Sequence, residues 1–311
     1  MQGATDTVQK FVISADGTRI YADAVGSSSN PALVFAHGFT ASSVAYNGLF
    51  SNPDYSKNFY LIRYDVRGHG RTGKPNDAEG YLSHKYAEDF AAVLKAFDAK
   101  KPIFIGWSMG ATIIADIIAH LPSDTLIGAV CLAGAPCNGP IIQAANSETF
   151  MNLGFFSVST VEAAYRADVV VTRLVLIRNR NPDADFVEKT IKANETGDDF
   201  RDDNPYVSWE TRCAILGMAG HIFPTQRRLV VTRKQDPTKL FELGAKGFPL
   251  LAVYGTEDGL VSGDKIVEGI QPHFTNLQVK NVEGASHSPF LDDPDEVMEA
   301  IFGFAKKIMS T

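Results

Sequence analysis

The chain has 311 residues, enough to bury a large core in one domain or in one domain with an insertion. Hydrophobic residues at 45% and charged residues at 21% are ordinary for a globular protein, and a net charge of -7 argues against a nucleic-acid partner, whose phosphates need a basic surface. Met1 to Lys10 lacks the apolar core of a signal peptide, no apolar run reaches the roughly 18 residues of a membrane span, and Cys131, Cys137 and Cys213 make no CxxC pair or even disulfide framework, so reduced thiols in a cytoplasmic protein are expected.

Taken in chain order, Val8 to Ser14 and Arg19 to Val25 read as two strands around the turn Asp16-Gly17. Pro31 leads into the apolar run Ala32 to Ala36, and Phe59 to Tyr64 is a further short strand. Tyr86, Phe90, Val93, Leu94 and Phe97 fall on one face of a helix. Pro102 to Ile105 is short enough for a buried strand, and Ala111 to His120 is long and apolar enough for a buried helix. Another apolar run covers Leu126 to Ala133. This alternation predicts an α/β fold with a mostly parallel sheet covered on both faces. From about Cys137 to Lys246 the alternation stops and the segment reads as helices joined by polar stretches. It resumes with Phe248 to Tyr254, a strand at Leu277 to Asn281 and a last helix from Pro294 to Ile308, which opens on Pro and acidic residues. The expected organisation is one α/β core, 1–136 and 247–311, interrupted by a helical insertion at 137–246.

Between the strand and the helix in the middle of the chain stands Gly106-Trp107-Ser108-Met109-Gly110. A strand, a Gly-x-Ser-x-Gly turn and a helix form a nucleophile elbow, which holds the serine in a strained conformation with its hydroxyl above the sheet edge. Serine is a poor nucleophile at neutral pH and needs a histidine base oriented by a carboxylate. Elbow enzymes present these in the order Ser, Asp/Glu, His. Downstream of Ser108 the candidates are Asp258, just past a strand's carboxyl end, and His287, in the loop before the last helix. Glu257 is an adjacent alternative acid. His37 and His69 suit structural hydrogen bonds better; His84, His120 and His273 read as helix or surface residues, and His221 lies in the insertion. The histidines and cysteines show no metal-ligand spacing, and no GxGxxG is present.

With these pieces in place the chain resembles the α/β-hydrolase superfamily over roughly Val8 to Pro136 and Phe248 to Ile308. His37-Gly38-Phe39 and Asp65-Val66-Arg67-Gly68-His69-Gly70 are similar to loops those proteins carry after their third and fourth strands. The resemblance implies a mostly parallel eight-stranded sheet with helices on both faces and a helical cap over the site. It also implies Ser108 as nucleophile, Asp258 as acid, His287 as base and the backbone N–H groups of Phe39 and Met109 as oxyanion hole, with no cofactor. The family's Gly-x-x-Asp pattern selects Asp258 over Glu257.

Serine at position 108 sets the chain apart from the superfamily's haloalkane dehalogenases and epoxide hydrolases, which use an aspartate nucleophile. The expected activity is hydrolysis of a small or medium carboxylic ester or lactone through an acyl-enzyme. Alternatives on the same fold are hydrolysis of a carbon–carbon bond, haloperoxidase-like perhydrolysis, and a ligand receptor. The substrate carboxylate of a carbon–carbon hydrolase would want an arginine, and Arg166, Arg173, Arg178 and Arg212 are available. The insertion is expected to choose the substrate, through aromatics such as Phe155, Phe156, Tyr165, Tyr206, Trp209 and Phe223 and through His221. Trp107, beside the nucleophile, is a further candidate for substrate contact.

Overall fold

The computed structural model describes residues 7–148, 151, 159–176, 207–231 and 233–310. Eight strands make one sheet: β1 (Val8–Ile13), β2 (Arg19–Val25), β3 (Ala32–Ala36), β4 (Tyr60–Tyr64), β5 (Ile103–Trp107), β6 (Gly128–Leu132), β7 (Leu250–Gly255) and β8 (Leu277–Val282). Their spatial order is β1-β2-β4-β3-β5-β6-β7-β8. β2 runs antiparallel to both its neighbours, and every other pair is parallel. Every residue of β3 to β7 is buried, which is why these strands read as apolar runs rather than alternating ones; the charged exception, Arg63 of β4, is paired with Asp23.

Register shows how the sheet is covered. Phe35 pairs with Ile105 and Val34 with Phe104, so Phe35 and Phe104 lie on opposite faces. Phe104 meets Phe90 of the helix Ser83–Phe97 edge-on, with centroids 5.4 Å apart. That helix packs on Ile113–His120, which packs in turn on Thr238–Ala245. On the other face Phe35 meets Phe50 of the helix Asn47–Ser51 at 5.5 Å. The C-terminal helix Pro294–Met309 belongs to this face too, its Phe302 stacked on Phe59 at 4.6 Å. Helices thus cover both faces.

The expected strands all form, most with one or two residues shifted at an end. Two connections differ from the sequence reading. Short helices at Asn47–Ser51 and Pro53–Ser56 fill the link from β3 to β4, and a helix at Gly263–Ile270 links β7 to β8. The latter is capped by Ser262, which accepts from the Lys265 N–H, and buries only Ile266 and Ile270. Between β6 and β7 the described residues form helices at Pro140–Ala145, Val161–Leu176, Trp209–Ala219 and Pro224–Val231 before Thr238–Ala245. Arg227 grips Asp168 with two bonds of 2.7 and 2.6 Å, joining the second of these helices to the fourth. Among the described residues no helix is long and apolar enough to cross a membrane.

Candidate active site

The loops that leave the carboxyl ends of β3, β4, β5, β6, β7 and β8 meet above one edge of the sheet. At the centre is Ser108, whose φ of 53° lies in the left-handed region that side chains other than glycine's avoid. Two glycines allow the turn. A Cβ at Gly106 would strike the backbone of Ala111, and one at Gly110 would strike the carbonyl oxygens of Ala36 and His37. Close packing of the elbow against the end of β3 therefore depends on residues without side chains. A tight 3-10 turn, Ser108–Thr112, leads from β5 into the helix Ile113–His120.

His287 Nε2 is 3.0 Å from Ser108 Oγ, and His287 Nδ1 is 2.8 Å from Asp258 Oδ2. The other oxygen of Asp258 accepts the N–H groups of Leu260 and Val261 at 2.8 and 3.1 Å. Saturating that oxygen fixes the carboxylate and leaves Oδ2 for the imidazole. A carboxylate facing Nδ1 assigns the proton there, so the Nε2 lone pair faces the serine hydroxyl. Asp258 and His287 are buried, while Ser108 is half-buried and open to a cavity. The alternative acid Glu257 gives its backbone N–H to the Ala285 carbonyl at 2.9 Å.

The histidine loop is braced from three sides. Trp107 donates its indole N–H to the His287 carbonyl at 2.8 Å. Asp292 accepts the N–H and hydroxyl of Ser286 at 2.6 and 2.7 Å. Ser288 donates its hydroxyl to the Val175 carbonyl at 3.0 Å, a tie to the helix Val161–Leu176.

The loops after β3 and β4 lock each other. Asp65 accepts from the Ser43 N–H at 2.8 Å, the Ser43 hydroxyl at 2.6 Å and the Arg71 N–H at 2.8 Å. His37 accepts the Val66 N–H on Nε2 at 2.9 Å and points Nδ1 at the Gly38 carbonyl at 2.8 Å, which requires the neutral ring. Burial pushes its pKa below the ordinary histidine value. His69, packed edge-on against His37 and Phe39, is pushed down to about 3, chiefly by burial and then by His37. Gly38 and Phe39 reach the cavity from this side, and Met109 reaches it from the elbow.

The cavity beside Ser108 and His287 measures about 390 Å³. Its walls are mostly aliphatic, with Ile142, Val171, Val175, Val230, Leu260 and Val261, and carry polar groups at Thr112, Asn138, Gln143, Asn146 and Arg233. The aromatic pocket expected from the sequence is not what the described residues build. Trp209 is 60% exposed, Phe223 57% and Tyr165 51%, and His221 is also exposed. None of the four lines the cavity. Phe155, Phe156, Tyr206 and Arg178 lie outside the described residues. Trp107 does line the cavity, though it is almost wholly buried and its N–H is spent on the His287 loop. Of the arginines singled out, Arg166 pairs with Glu162 and Arg212 donates to the Val207 carbonyl; among the described residues the arginine that lines the cavity is Arg233. Sequence reading missed it and the valines. The one-turn spacing of Val171 and Val175 was the available signal.

Comparison with known proteins places these features in a wider setting. The model of the alpha/beta hydrolase family matches residues 33–300. A curated relative from Mycobacterium tuberculosis, named probable oxidoreductase EphD, is 33% identical over 102 residues, which is 33% of this chain but only 17% of the relative. Epoxide hydrolase 1 of Caenorhabditis elegans is 23% identical over 297 residues, covering 93% of this chain and 68% of that one. Among solved structures, a candidate aryl esterase from Burkholderia cenocepacia aligns with a TM-score of 0.79 at 22% identity, covering 98% of this chain and 100% of that one.

Proposed function

Because the chain belongs to the alpha/beta hydrolase family, we propose that it is a serine hydrolase of carboxylic esters or lactones, working through an acyl-enzyme. One observation carries the reading: the relay from Ser108 Oγ through His287 to Asp258, at 3.0 and 2.8 Å, opening on a largely aliphatic cavity. In this reading His287 takes the Ser108 proton as Oγ attacks the substrate carbonyl, and Asp258 stabilises the imidazolium that results. The N–H groups of Phe39 and Met109 receive the developing oxyanion; losing one such donor costs about 3 to 4 kcal/mol in comparable reactions. His287 then gives its proton to the leaving alcohol and activates the water that releases the acid. No step needs a cofactor.

Serine at position 108 favours this reading over epoxide opening, despite the epoxide hydrolase among the relatives, because the family's epoxide hydrolases attack with aspartate. We also assign the 137–246 segment the role of a cap. Its Val171, Val175 and Val230 line the cavity, and the Val175 carbonyl holds the His287 loop. A cavity of about 390 Å³ with aliphatic walls suits a small or medium uncharged acyl or alkoxy group.

A fluorophosphonate probe tests the proposal. It should label wild type and leave Ser108→Ala unlabelled; a folded wild type that stays unlabelled overturns the nucleophile assignment. A series of p-nitrophenyl esters then reports the acyl length that the cavity takes. Turnover below about one per minute on every ester and lactone, against about 10 per second for an ordinary enzyme, would turn the reading toward a ligand-binding protein.

A further inference from the structure

The segment that closes the 137–246 insertion sends two side chains back to the turn that carries the nucleophile. Gln235 donates its amide N–H to the Thr112 carbonyl at 2.7 Å, and its amide oxygen accepts the Asn138 N–H at 2.7 Å. Only one orientation of the amide satisfies both, because one partner is an acceptor and the other a donor. Arg233 donates from Nη2 to the Thr112 hydroxyl, and that hydroxyl donates in turn to the Met109 carbonyl at 2.7 Å. The guanidinium is itself fixed: it lies over the Tyr86 ring, 3.9 Å from its centroid, with Asp116 Oδ2 at 3.4 Å from Nη1.

Three points of the chain are joined here by one residue. Thr112 ends the elbow turn, Asn138 begins the insertion, and Gln235 lies where the chain returns to the core. Thr112 and Asn138 both line the cavity as well. We propose that Gln235 is a positioning residue that clamps both ends of the insertion to the elbow, and that through Thr112 the clamp fixes the Met109–Gly110 peptide, the unit next to the Ser108–Met109 peptide whose N–H faces the oxyanion. The inference rests on the serine-hydrolase reading, since it assigns the clamp to the Met109 side of the oxyanion site. Met109 follows Ser108, whose left-handed φ of 53° persists only because its surroundings hold it. The hydroxyl of Thr112 is the side-chain group that fixes the Met109 carbonyl, and Arg233 and Gln235 decide where Thr112 sits. A shift of the insertion is thereby transmitted to the nucleophile turn.

Three substitutions separate positioning from mere support. Gln235→Glu keeps the shape and the bond from Asn138 but turns an oxygen toward the Thr112 carbonyl. Thr112→Val keeps the shape and removes the hydroxyl, whereas Thr112→Ser retains it. Each variant is measured for melting temperature, for the second-order rate of fluorophosphonate labelling and for kcat and KM on the best p-nitrophenyl ester. Gln235→Glu and Thr112→Val should label about tenfold more slowly and lose kcat by a similar factor, as expected for one broken, unreplaced hydrogen bond. KM should stay within about twofold, and Thr112→Ser should remain near wild type. Should Thr112→Val fail to fold, Gln235→Glu still decides, because Gln235 is only half-buried. Labelling and kcat at wild-type levels, or a loss confined to KM, would overturn the clamp. An unlabelled wild type would instead sink the hydrolase reading itself, so the two failures are distinguishable.

Discussion

Asp258 divides its two oxygens between tasks that cannot be exchanged. Oδ1 accepts two backbone N–H groups and Oδ2 faces His287 Nδ1. In Asp258→Asn the amide oxygen would stay with Leu260 and Val261, because an NH2 group there would confront two donors. The NH2 would then face His287, forcing its proton onto Nε2, and Nε2 could no longer take the proton from Ser108. We expect kcat to fall by on the order of a thousandfold or more, with the fold and KM nearly unchanged. Steady-state kinetics with a p-nitrophenyl ester, beside a thermal melt, checks this; a tenfold loss or less would place the orienting group elsewhere. These three residues were legible in the sequence because each follows a strand end, and the pattern of strands is what a sequence shows best. Thr112, Gln235 and Arg233 were not legible. Their importance comes from hydrogen bonds spanning 97 to 123 residues of chain, and ordinary polar residues carry no mark of such a partner.

At the scale of elements, the glycines separate into those held by packing and those that are merely permitted. Gly110 is the first kind: a Cβ there meets carbonyl oxygens of Ala36 and His37, backbone atoms that can move only if the end of β3 moves. Gly110→Ala should therefore cost about 2 to 3 kcal/mol and also disturb the Phe39 loop, lowering kcat as well as stability. Gly303, exposed on the C-terminal helix, is the second kind, because a methyl group added there would have nothing within 4 Å. Gly303→Ala should raise stability by about 0.5 to 1 kcal/mol and leave activity alone. Urea titrations of both variants test the contrast, and a neutral or stabilising Gly110→Ala would contradict the packing argument. The buried strands announced themselves through continuous apolar runs. Gly263–Ile270 did not, because only two of its positions are buried. The helices between β6 and β7 posed a different difficulty. Hydrophobic residues there showed that something would be covered, but not what would cover it. The large aromatics Trp209 and Phe223 face outward, and small β-branched residues line the cavity.

Besides His287, the interior holds two buried histidines that are kept uncharged, and this sets how the whole molecule meets acid. His37 and His69 are both fully buried, with pKa values pushed below the ordinary value by burial, that of His69 to about 3. In the unfolded chain each would titrate near 6.5. A depressed folded pKa means that the unfolded state binds more protons, so these groups add stability above pH about 6.5, and it is lost progressively as pH falls toward the folded value. Each excluded proton contributes a slope of about 1.4 kcal/mol per pH unit within that window. Asp89 and Asp168 act in the opposite sense, since burial raises their pKa values and the folded state takes up their protons earlier. Asp116 is shifted the same way, and comparing wild type with a histidine variant that leaves these carboxylates in place cancels their contribution. His69 points Nδ1 at the Arg67 carbonyl, 3.1 Å away, a bond that an asparagine amide can replace without titrating. Unfolding free energy measured by urea titration should decline between pH 7 and 5 in wild type. In His69→Asn the decline should be shallower by about 1 kcal/mol per pH unit averaged over this range, approaching about 1.4 near pH 5. Equal slopes in the two proteins would mean that the ring of His69 takes up its proton within the fold, and that the interlocked loops beside Phe39 tolerate charge.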